Sequence, residues 1–417
     1  MKTMLIKLPR TVTDQTTAIY ETKWGTTPVA VFEQLLEEFH DSIKSPFSLE
    51  IFSTQQLVSM CFTSPDETSL EILVSAVYSM APNAEIVEID DYTHHIDERS
   101  KVATTELKLI KNDIYPFQTW ATLKFGSLSP LAGVLSQLPT EDRIVFQVVC
   151  QRIKDSAGFH AKLNAARSWD RIATFFRPKY WFKREVLKAM RESIAKKCQR
   201  KMYCVTVRIA AIIPPEVSSE AVDDSSDTSV RRDPGDHLRA IVGAVAFVNT
   251  PDDNGIKMTG IRRGMSAMKP LRKRSFGTTI ALITPEIATF WHPPKLSSLP
   301  NTHPVLAVKG PPPSNLPKDR GDPSVSFFGK TDFREHFVPF GIHREDRRRH
   351  MYVVGKSGTG KSCLLQLLIQ NDIERGYGAA VLDPHGDLVD NILRTIPEKR
   401  LKDVVLFDPT DVNFPPS

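Results

Sequence analysis

The sequence has little of what marks metal-binding, secreted or membrane-spanning proteins. Its five cysteines are scattered and form neither a Cys-x-x-Cys pair nor a metal-ligand spacing, a pattern typical of reduced thiols in a cytosolic setting. No apolar run approaches the ~18 residues of a membrane-spanning helix. The N-terminal segment lacks a signal-peptide core, and there are no tandem repeats. These absences disfavour a zinc scaffold, a disulfide framework and an integral membrane protein.

The chain also has little net charge. The 54 basic and 49 acidic residues leave a formal net charge of +5, which is too small to indicate a nucleic-acid partner by itself. The hydrophobic content of 41% and the charged content of 25% are ordinary for a globular protein. A length of 417 residues predicts about two to four domains.

One motif carries specific chemistry. Residues 355–362 read Gly-Lys-Ser-Gly-Thr-Gly-Lys-Ser, a complete GxxxxGK[ST] phosphate-binding loop (P-loop). The apolar run 351–354 before it predicts a strand, and the leucines of 363–375 have helical spacing, which is the setting that this motif requires. Glycines let successive N–H groups point into one concavity, and the helix N-terminus adds further donors. The sequence therefore predicts a nucleoside triphosphate site, with ATP and Mg²⁺ as cofactors.

The residue types of the P-loop assign roles. Lys361 is expected to reach the β- and γ-phosphates, and the Ser362 hydroxyl to complete the Mg²⁺ shell. Asp383 follows a second predicted strand at the edge of the sheet where ligands bind. The predicted nucleotide-contacting residues are Gly355, Lys356, Ser357, Gly358, Thr359, Gly360, Lys361, Ser362, Cys363 and Asp383.

The segment 383–387, Asp-Pro-His-Gly-Asp, allows three interpretations. Asp383, His385 and Asp387 would share one face of an extended chain, as in a metal site. Pro384 and Gly386 favour instead a tight polar turn near the nucleotide. The third interpretation is capping of the following helix by Asp387.

The sequence after the P-loop helix predicts further strands and helices in alternation. Strands are predicted at 379–382 and 404–407 around a short helix at 388–395, which predicts the start of an α/β RecA-like domain with a parallel sheet. Three strands are too few for a hydrolysing core, so the chain is expected to be cut inside its catalytic domain. Asp408 is either a Mg²⁺-organising Walker B aspartate or the polar exit of a strand, because Pro409 stands where a hydrolytic Glu is expected.

Residues 1–300 predict an α+β accessory region, as one body or as two paired lobes. The predicted elements are helix 29–43, strands 47–52 and 56–62, helix 69–80, strands 84–89 and 143–152, helix 185–199, strand 202–213, helix 238–247 and strand 255–260. The first of these form about half of a ferredoxin-like sandwich. Polar 218–236 predicts a mobile insertion, and the Pro-rich stretch 301–330 a connection to the P-loop domain at 331–417.

Two basic clusters are candidate contact surfaces. The segment 257–274 holds seven Lys or Arg and no acid, which suits phosphate contacts. Its predicted nucleic-acid contacts are Arg262, Arg263, Arg272, Lys273 and Arg274. The second cluster, Arg344 and Arg347–Arg349, precedes the first predicted strand of the domain and so faces the opposite rim from the P-loop. These arginines either line a channel or subunit interface, or form a solvated rim paired with Glu345 and Asp346.

Several segments together resemble one family. The stretch 340–351, Phe-Gly-Ile-His-Arg-Glu-Asp-Arg-Arg-Arg-His-Met, runs into the P-loop and on to Asp-Pro-His-Gly-Asp-Leu at 383–388. This block closely resembles the N-terminal part of the ATPase domain in type IV secretion coupling proteins and their HerA/FtsK-like relatives. Segments 106–117, 130–138 and 284–294 are similar to the accessory domain of that family, so the resemblance spans roughly 45 to 417.

The resemblance implies a homo-hexameric ring ATPase that translocates DNA, or DNA with protein, through a central pore. It also implies membrane-associated secretion machinery as a partner and a cytoplasmic location, at the inner face of the cell membrane through such partners. The family's Walker B acidic pair, sensor and arginine finger are expected beyond residue 417. Residues 1–417 alone are therefore expected to show little or no ATPase activity.

Two functions remain open at this point. The first is the front part of a DNA-translocating motor, in which ATP is hydrolysed with residues supplied downstream and by a neighbouring subunit. The second is a nucleotide-binding assembly module that does not hydrolyse ATP and recruits a protein partner. A metabolic kinase is disfavoured, because no segment indicates a small-substrate pocket.

Overall fold

The computed structural model describes residues 1–9, 28–54, 57–154, 192–215, 233–250, 254–293, 304–305, 310–334 and 336–408. The chain divides into two compact units, Met1–Val308 and Lys309–Ser417, called here the first and the second unit. Residues 325–330, which the sequence placed in the connection, are a strand of the second unit. Within the described ranges, no helix is long and apolar enough to cross a membrane.

The first unit begins with a β-α-β-β-α-β run. Its elements are β1 (Lys2–Pro9), α1 (Pro28–Glu38), β2 (Phe47–Thr54), β3 (Leu57–Ser64), α2 (Glu67–Met80) and β4 (Glu85–Ile89). The strand order is β4-β1-β3-β2, and all three pairs are antiparallel. Helix α2 begins where it does because the Asp66 carboxylate accepts the Ser69 N–H at 3.0 Å.

A second run repeats this order. Its elements are β5 (Lys101–Leu109), α3 (Ser129–Ser136), β6 (Arg143–Arg152), β7 (Met202–Ile213), α4 (Pro234–Val245), β8 (Ile256–Met258) and β9 (Arg262–Arg263). Strand order β8-β5-β7-β6 matches that of the first run, and antiparallel pairing of β2 with β6 joins both runs into one sheet. Both runs have the element order of the ferredoxin-like motif.

The remaining elements of the first unit cover the sheet or extend it. They are α5 (Lys269–Arg272), β10 (Ile280–Ile283), α6 (Thr284–Phe290) and β11 (Pro304–Val305). Of the predicted helix 185–199, residues 192–198 are helical and 185–191 lie outside the described residues. Likewise, 218–232 of the predicted insertion lie outside them, whereas Pro234 to Asp236 open α4 after the Asp233 cap.

The two faces of this sheet are covered differently. Helices α1 to α4 and α6 pack on one face, the helix face, over a large apolar core that includes Phe32, Leu49, Phe146 and Trp291. Residues 265–278, called here the strap, cross the other face, where Met268 and Leu271 pack on Phe52, Val145 and Ile212. The strap face thus combines a smaller apolar cluster with polar side chains.

Four buried polar side chains form a row across the strap face, called here the polar row. Glu50, Gln147, Arg208 and Glu106 lie directly opposite one another on β2, β6, β7 and β5. Gln147 donates to Glu50 at 2.9 Å, Arg208 to Gln147 at 2.8 Å, and Arg208 to Glu106 at 2.7 Å. Each buried charge in the row therefore has a hydrogen-bonded partner, as a low-dielectric site requires.

The strap is bound along the polar row. The carbonyls of Leu271 and Ser275 accept from Gln147 and Arg208, at 3.1 and 2.9 Å. The Thr278 N–H donates to Glu106 at 2.7 Å. Gly277 is required at this crossing, because a Cβ there would lie 2.2 Å from a Glu106 carboxylate oxygen. The strap is fixed to the sheet by polar contacts as well as by its apolar residues.

The second unit contains a hairpin and helices. Its elements are β12 (Val325–Lys330), β13 (Pro339–His343), α7 (Arg344–Arg347), α8 (Lys361–Glu374) and α9 (Asp387–Leu393), with a 3₁₀ stretch at Glu398–Asp403. Strands β12 and β13 are antiparallel, with a register shift between Phe327 and Gly329. Within the described residues, the one parallel strand pair of the chain is β1 with β11 in the first unit.

Candidate nucleotide-binding site

The P-loop has the backbone conformation that its glycines allow. Gly358 and Gly360 lie in the left-handed region, with φ of 78° and 90°, which costs a residue with a side chain free energy. At Gly355 the constraint is space, since a Cβ would lie 2.6 Å from the Thr359 hydroxyl. The loop 355–360 is exposed along its whole length, so it is open to a ligand.

One carbonyl organises the loop internally. The Lys356 oxygen accepts the Thr359 hydroxyl at 2.7 Å, the Thr359 N–H at 3.3 Å and the Lys361 ammonium at 2.8 Å. These contacts fold the Lys361 side chain back over the loop. Its positive charge is thereby held at the mouth of the loop.

The start of α8 offers unpaired backbone donors. Its first intrahelical hydrogen bond runs from the Leu364 N–H to the Gly360 carbonyl at 3.0 Å, so the N–H groups of 361–363 have no acceptor within the helix. A helix N-terminus of this kind attracts phosphate. Ser362 and Cys363 are exposed here. The donor set, a lysine and a serine hydroxyl beside free amides, fits a triphosphate with Mg²⁺.

Asp383 has a local structural role. Its carboxylate accepts the His385 N–H at 3.1 Å and the Leu388 N–H at 2.8 Å. The backbone hydrogen bond from His385, with that from Leu388, lowers the pKa of Asp383. Asp383, rather than Asp387, therefore caps α9. Across the described residues no group of three or more His, Cys, Asp or Glu could hold a metal, so nothing supports a metal site in 383–387.

The three predicted strands of the P-loop domain are present as extended segments without ladder partners. Residues 351–354, 379–382 and 404–407 belong to no strand. A groove of about 890 Å³ is lined by Ile369 and Ile373 of α8, Ile392 of α9, and the segments 378–384 and 404–407. The predicted parallel sheet is therefore not formed among the described residues.

The second basic cluster is anchored to α8. Arg347 forms a bidentate ion pair with Asp372, at 2.9 and 2.7 Å, and also donates to the Ser326 hydroxyl at 3.2 Å. The Arg344 guanidinium lies 3.5 Å from the centre of the Tyr377 ring. The structure thus gives Arg347 a partner other than Glu345 or Asp346. Together with the hydrogen bond from Asn371 to the Phe327 carbonyl, this ion pair attaches the hairpin to the P-loop helix.

The predicted nucleic-acid contacts do not form one surface. Arg274 is 5% exposed and pairs with Glu50 at 3.1 Å and with Asp91. Arg263 pairs with Asp233 across 2.9 Å on the helix face. Arg272 donates to the Thr93 carbonyl at 3.1 Å. Only Arg262 and Lys273 are exposed without an ion pair in the described structure; Arg274 is corrected from a phosphate contact to a buried anchor.

Sequence reasoning missed Asp372, and at Thr359 it predicted a nucleotide contact but not the hydrogen bond to the loop backbone. Thr359 occupies a variable position of the P-loop motif, and only its hydroxyl-bearing side chain could have suggested the contact with the loop backbone. Asp372 lies three turns into α8, where it looks like an ordinary surface residue. Its contact with Arg347 spans 25 positions, which no local pattern indicates.

Most of the second unit is similar to a known protein family. Residues 328–414 match the model of the family described as "Helicase HerA, central domain". This match supports a P-loop ATPase domain of the HerA/FtsK type, with nucleotide as its ligand, in the second unit. No curated protein matches the chain.

Proposed function

We propose that the chain binds ATP within a ring-forming, DNA-translocating ATPase of the type IV secretion coupling kind. The observation that carries the proposal is the P-loop at the start of α8, inside the segment similar to the HerA central domain. A hexameric state, DNA as cargo and a position at the inner face of the cell membrane, through secretion partners, rest on the resemblance of 340–388 to that family.

The residues divide the work at the nucleotide. The free N–H groups of 361–363 would hold phosphate oxygens, and Lys361 would turn from the Lys356 carbonyl to the β- and γ-phosphates. Ser362 would hold Mg²⁺, which supplies charge neutralisation to the phosphates when bound. Thr359 would keep the loop in shape by its bond to the Lys356 carbonyl.

The test compares two lysines of the second unit. Lys361→Ala is expected to weaken binding of a fluorescent ATP analogue at least 100-fold in the full chain, measured by titration with Mg²⁺ present. Lys399→Ala removes the same charge from an exposed side chain outside the P-loop, and is expected to stay within threefold. Equal losses in both variants would show general electrostatics rather than a P-loop site.

Turnover separates the two candidate functions. The module that binds ATP without hydrolysis follows if Asp408 is the Walker B aspartate, because Pro409 stands where the hydrolytic Glu is expected. ATPase rates of the protein with and without DNA, together with its mass in solution, decide between the two functions. A DNA-stimulated rate in a hexamer supports the motor; saturable binding with no turnover supports the module.

A further inference from the structure

The strap face of the first unit carries unpaired positive charge at one edge. On β5, Thr104, Glu106 and Lys108 share this face, because side chains alternate along a strand. Residues directly opposite one another in an antiparallel pair also share a face. Arg262 is opposite Thr104 and Lys257 is opposite Lys108. Lys108, Lys257 and Arg262 therefore lie together on the strap face, at the edge formed by β8 and β9.

Two residues of this group lie directly opposite each other in the sheet. Lys108 and Lys257 are cross-strand partners, and both are exposed. Like charges in this position destabilise a sheet. Neither lysine has an ion pair within the described residues. The nearest carboxylate along β5, Glu106, is occupied by Arg208 and the Thr278 N–H. The protein thus maintains a repulsion here that a bound anion would relieve.

The strap adds cations at fixed positions. Lys269 and Lys273 are exposed on it and lack an ion pair in the described structure. Arg274, the next residue after Lys273, is held by Glu50 on β2 at 3.1 Å. Because the strap is bound to the sheet at Leu271, Ser275 and Thr278, its backbone loses little freedom when a ligand binds.

We propose that the edge formed by Lys108, Lys257 and Arg262, with the strap lysines Lys269 and Lys273 on the same face of the sheet, binds the phosphate backbone of nucleic acid. Thr104 and Lys108 are four positions apart on β5, so their partners Arg262 and Lys257 lie about 14 Å apart along the sheet edge. That distance is the axial length of about four base pairs. The surface belongs to the first unit and needs no nucleotide at the P-loop.

A lipid surface fits the same face less well. Binding of a protein to the membrane interface depends on buried apolar area in addition to charge. The exposed large apolar side chains in the described part of the first unit are Met1, Ile110 and Phe125, and of these Ile110 alone is close in sequence to Lys108. The array of unpaired cations is instead what a polyphosphate backbone requires.

The test compares two triple variants of the full chain. Lys108→Gln/Lys257→Gln/Arg262→Gln removes three charges from the proposed surface. Lys44→Gln/Lys124→Gln/Arg239→Gln removes three exposed charges elsewhere on the same unit. Binding of a labelled 20-base-pair duplex is followed by fluorescence anisotropy from 50 to 200 mM salt. The surface variant is expected to bind at least tenfold more weakly at 50 mM salt. Its log–log salt slope should be shallower by about 0.9 for each lost contact.

The control variant is expected to stay within threefold of the unchanged chain. Equal losses in the two variants, or no loss in the surface variant, would overturn the proposal. So would binding to vesicles with anionic lipid in the absence of DNA binding. ATP-analogue binding in the same samples reports on the P-loop separately, so a failure there leaves this proposal standing, and the reverse also holds.

A single substitution gives a readout that a structural role would not produce. Lys257→Gln removes the like-charge pair while weakening the proposed contact. It is expected to raise the midpoint of thermal unfolding at low salt and to lower DNA affinity. A lower midpoint would show that Lys257 serves the fold and would count against the proposal.

Discussion

In the first unit each strand from β1 to β10 has a hydrogen-bonded neighbour, whereas in the second unit three apolar segments have none. Leu382 and Val405 are each 93% exposed there, and Tyr352 is 91% exposed. The first unit contains buried charged side chains, which form ion pairs or belong to the polar row. The second unit exposes apolar groups and is held by a few polar anchors. Substitutions should therefore cost much more stability in the first unit than in the second.

The largest effect is expected from the buried pair Lys197–Glu286. The two groups are 2.9 Å apart, and their side chains are 1% and 0% exposed. Glu286→Ala leaves the Lys197 charge buried without a countercharge, with only the Tyr115 carbonyl at 3.5 Å as an acceptor, which should cost about 3–5 kcal/mol in the free energy of unfolding. Urea unfolding of the full chain measures this loss. Lys197→Met/Glu286→Gln removes both charges and keeps an oxygen that can accept the Ile283 N–H, so it should recover part of the loss; a double variant as unstable as the single one would contradict this account.

Acid should weaken the first unit through His292. Burial lowers the pKa of His292 from 6.5 to about 4, so the unfolded chain takes up a proton at a higher pH than the folded one. The contribution to stability is complete above about pH 6.5 and falls as the pH drops toward 4, by about 3 kcal/mol in total. Urea midpoints measured from pH 7 to 4.5 test this.

His292→Asn is the matched variant, because the Asn amide can still donate to the Ala288 carbonyl that faces the ring at 2.8 Å. This variant should reduce the pH dependence of the urea midpoint between pH 7 and 4.5. An unchanged pH dependence of the urea midpoint would show that titratable groups other than His292 cause it.

A smaller effect is expected where the hairpin meets α8. Asp372→Asn removes the carboxylate that Arg347 holds at 2.7 Å, which should cost about 1–3 kcal/mol locally. Faster amide hydrogen exchange in β12 and β13 would report it, with the first unit unchanged. Asp346→Asn is the control, because Asp346 is exposed on α7 and should leave exchange as it was.

The smallest effect is expected within the P-loop. Thr359→Val removes the hydroxyl that donates to the Lys356 carbonyl. The loss of one hydrogen bond, about 1 kcal/mol, corresponds to roughly fivefold weaker ATP binding. Thr359→Ser keeps the hydroxyl and should bind as the unchanged chain does. Equal affinity for Thr359→Val would show that the loop keeps its shape without this bond.

Local patterns in the sequence gave the elements of the first unit closely. The predicted strands 143–152 and 202–213 coincide with β6 and β7, since both are long apolar runs with clear ends. The sequence did not reveal β1, whose short alternation resembles many N-terminal segments. Its partners β3, β4 and β11 are all more than 50 residues away. Only tertiary pairing identifies such a strand.

The polar row shows why burial could not be predicted as well as the elements. Glu50, Gln147 and Arg208 alternate with apolar neighbours, so each reads as a solvent-facing residue of a half-buried strand. Their burial depends on the strap, which is distant in sequence. The same limit made Arg274 look like a phosphate contact. The P-loop and the start of its helix could be predicted from residues 355–362, because the motif is contiguous in the sequence.

The strap has a consequence for how the protein is made. Glu50 and Arg274 are 224 positions apart. At about 5–20 residues per second, a ribosome takes about 10–45 s to synthesise the chain between them. For that interval a carboxylate destined for the interior has no arginine to meet, and the apolar face around it is uncovered. The nascent chain should therefore depend on chaperones until residue 278 has emerged, and ribosome-bound chains ending before the strap should be far more sensitive to protease than chains ending after it.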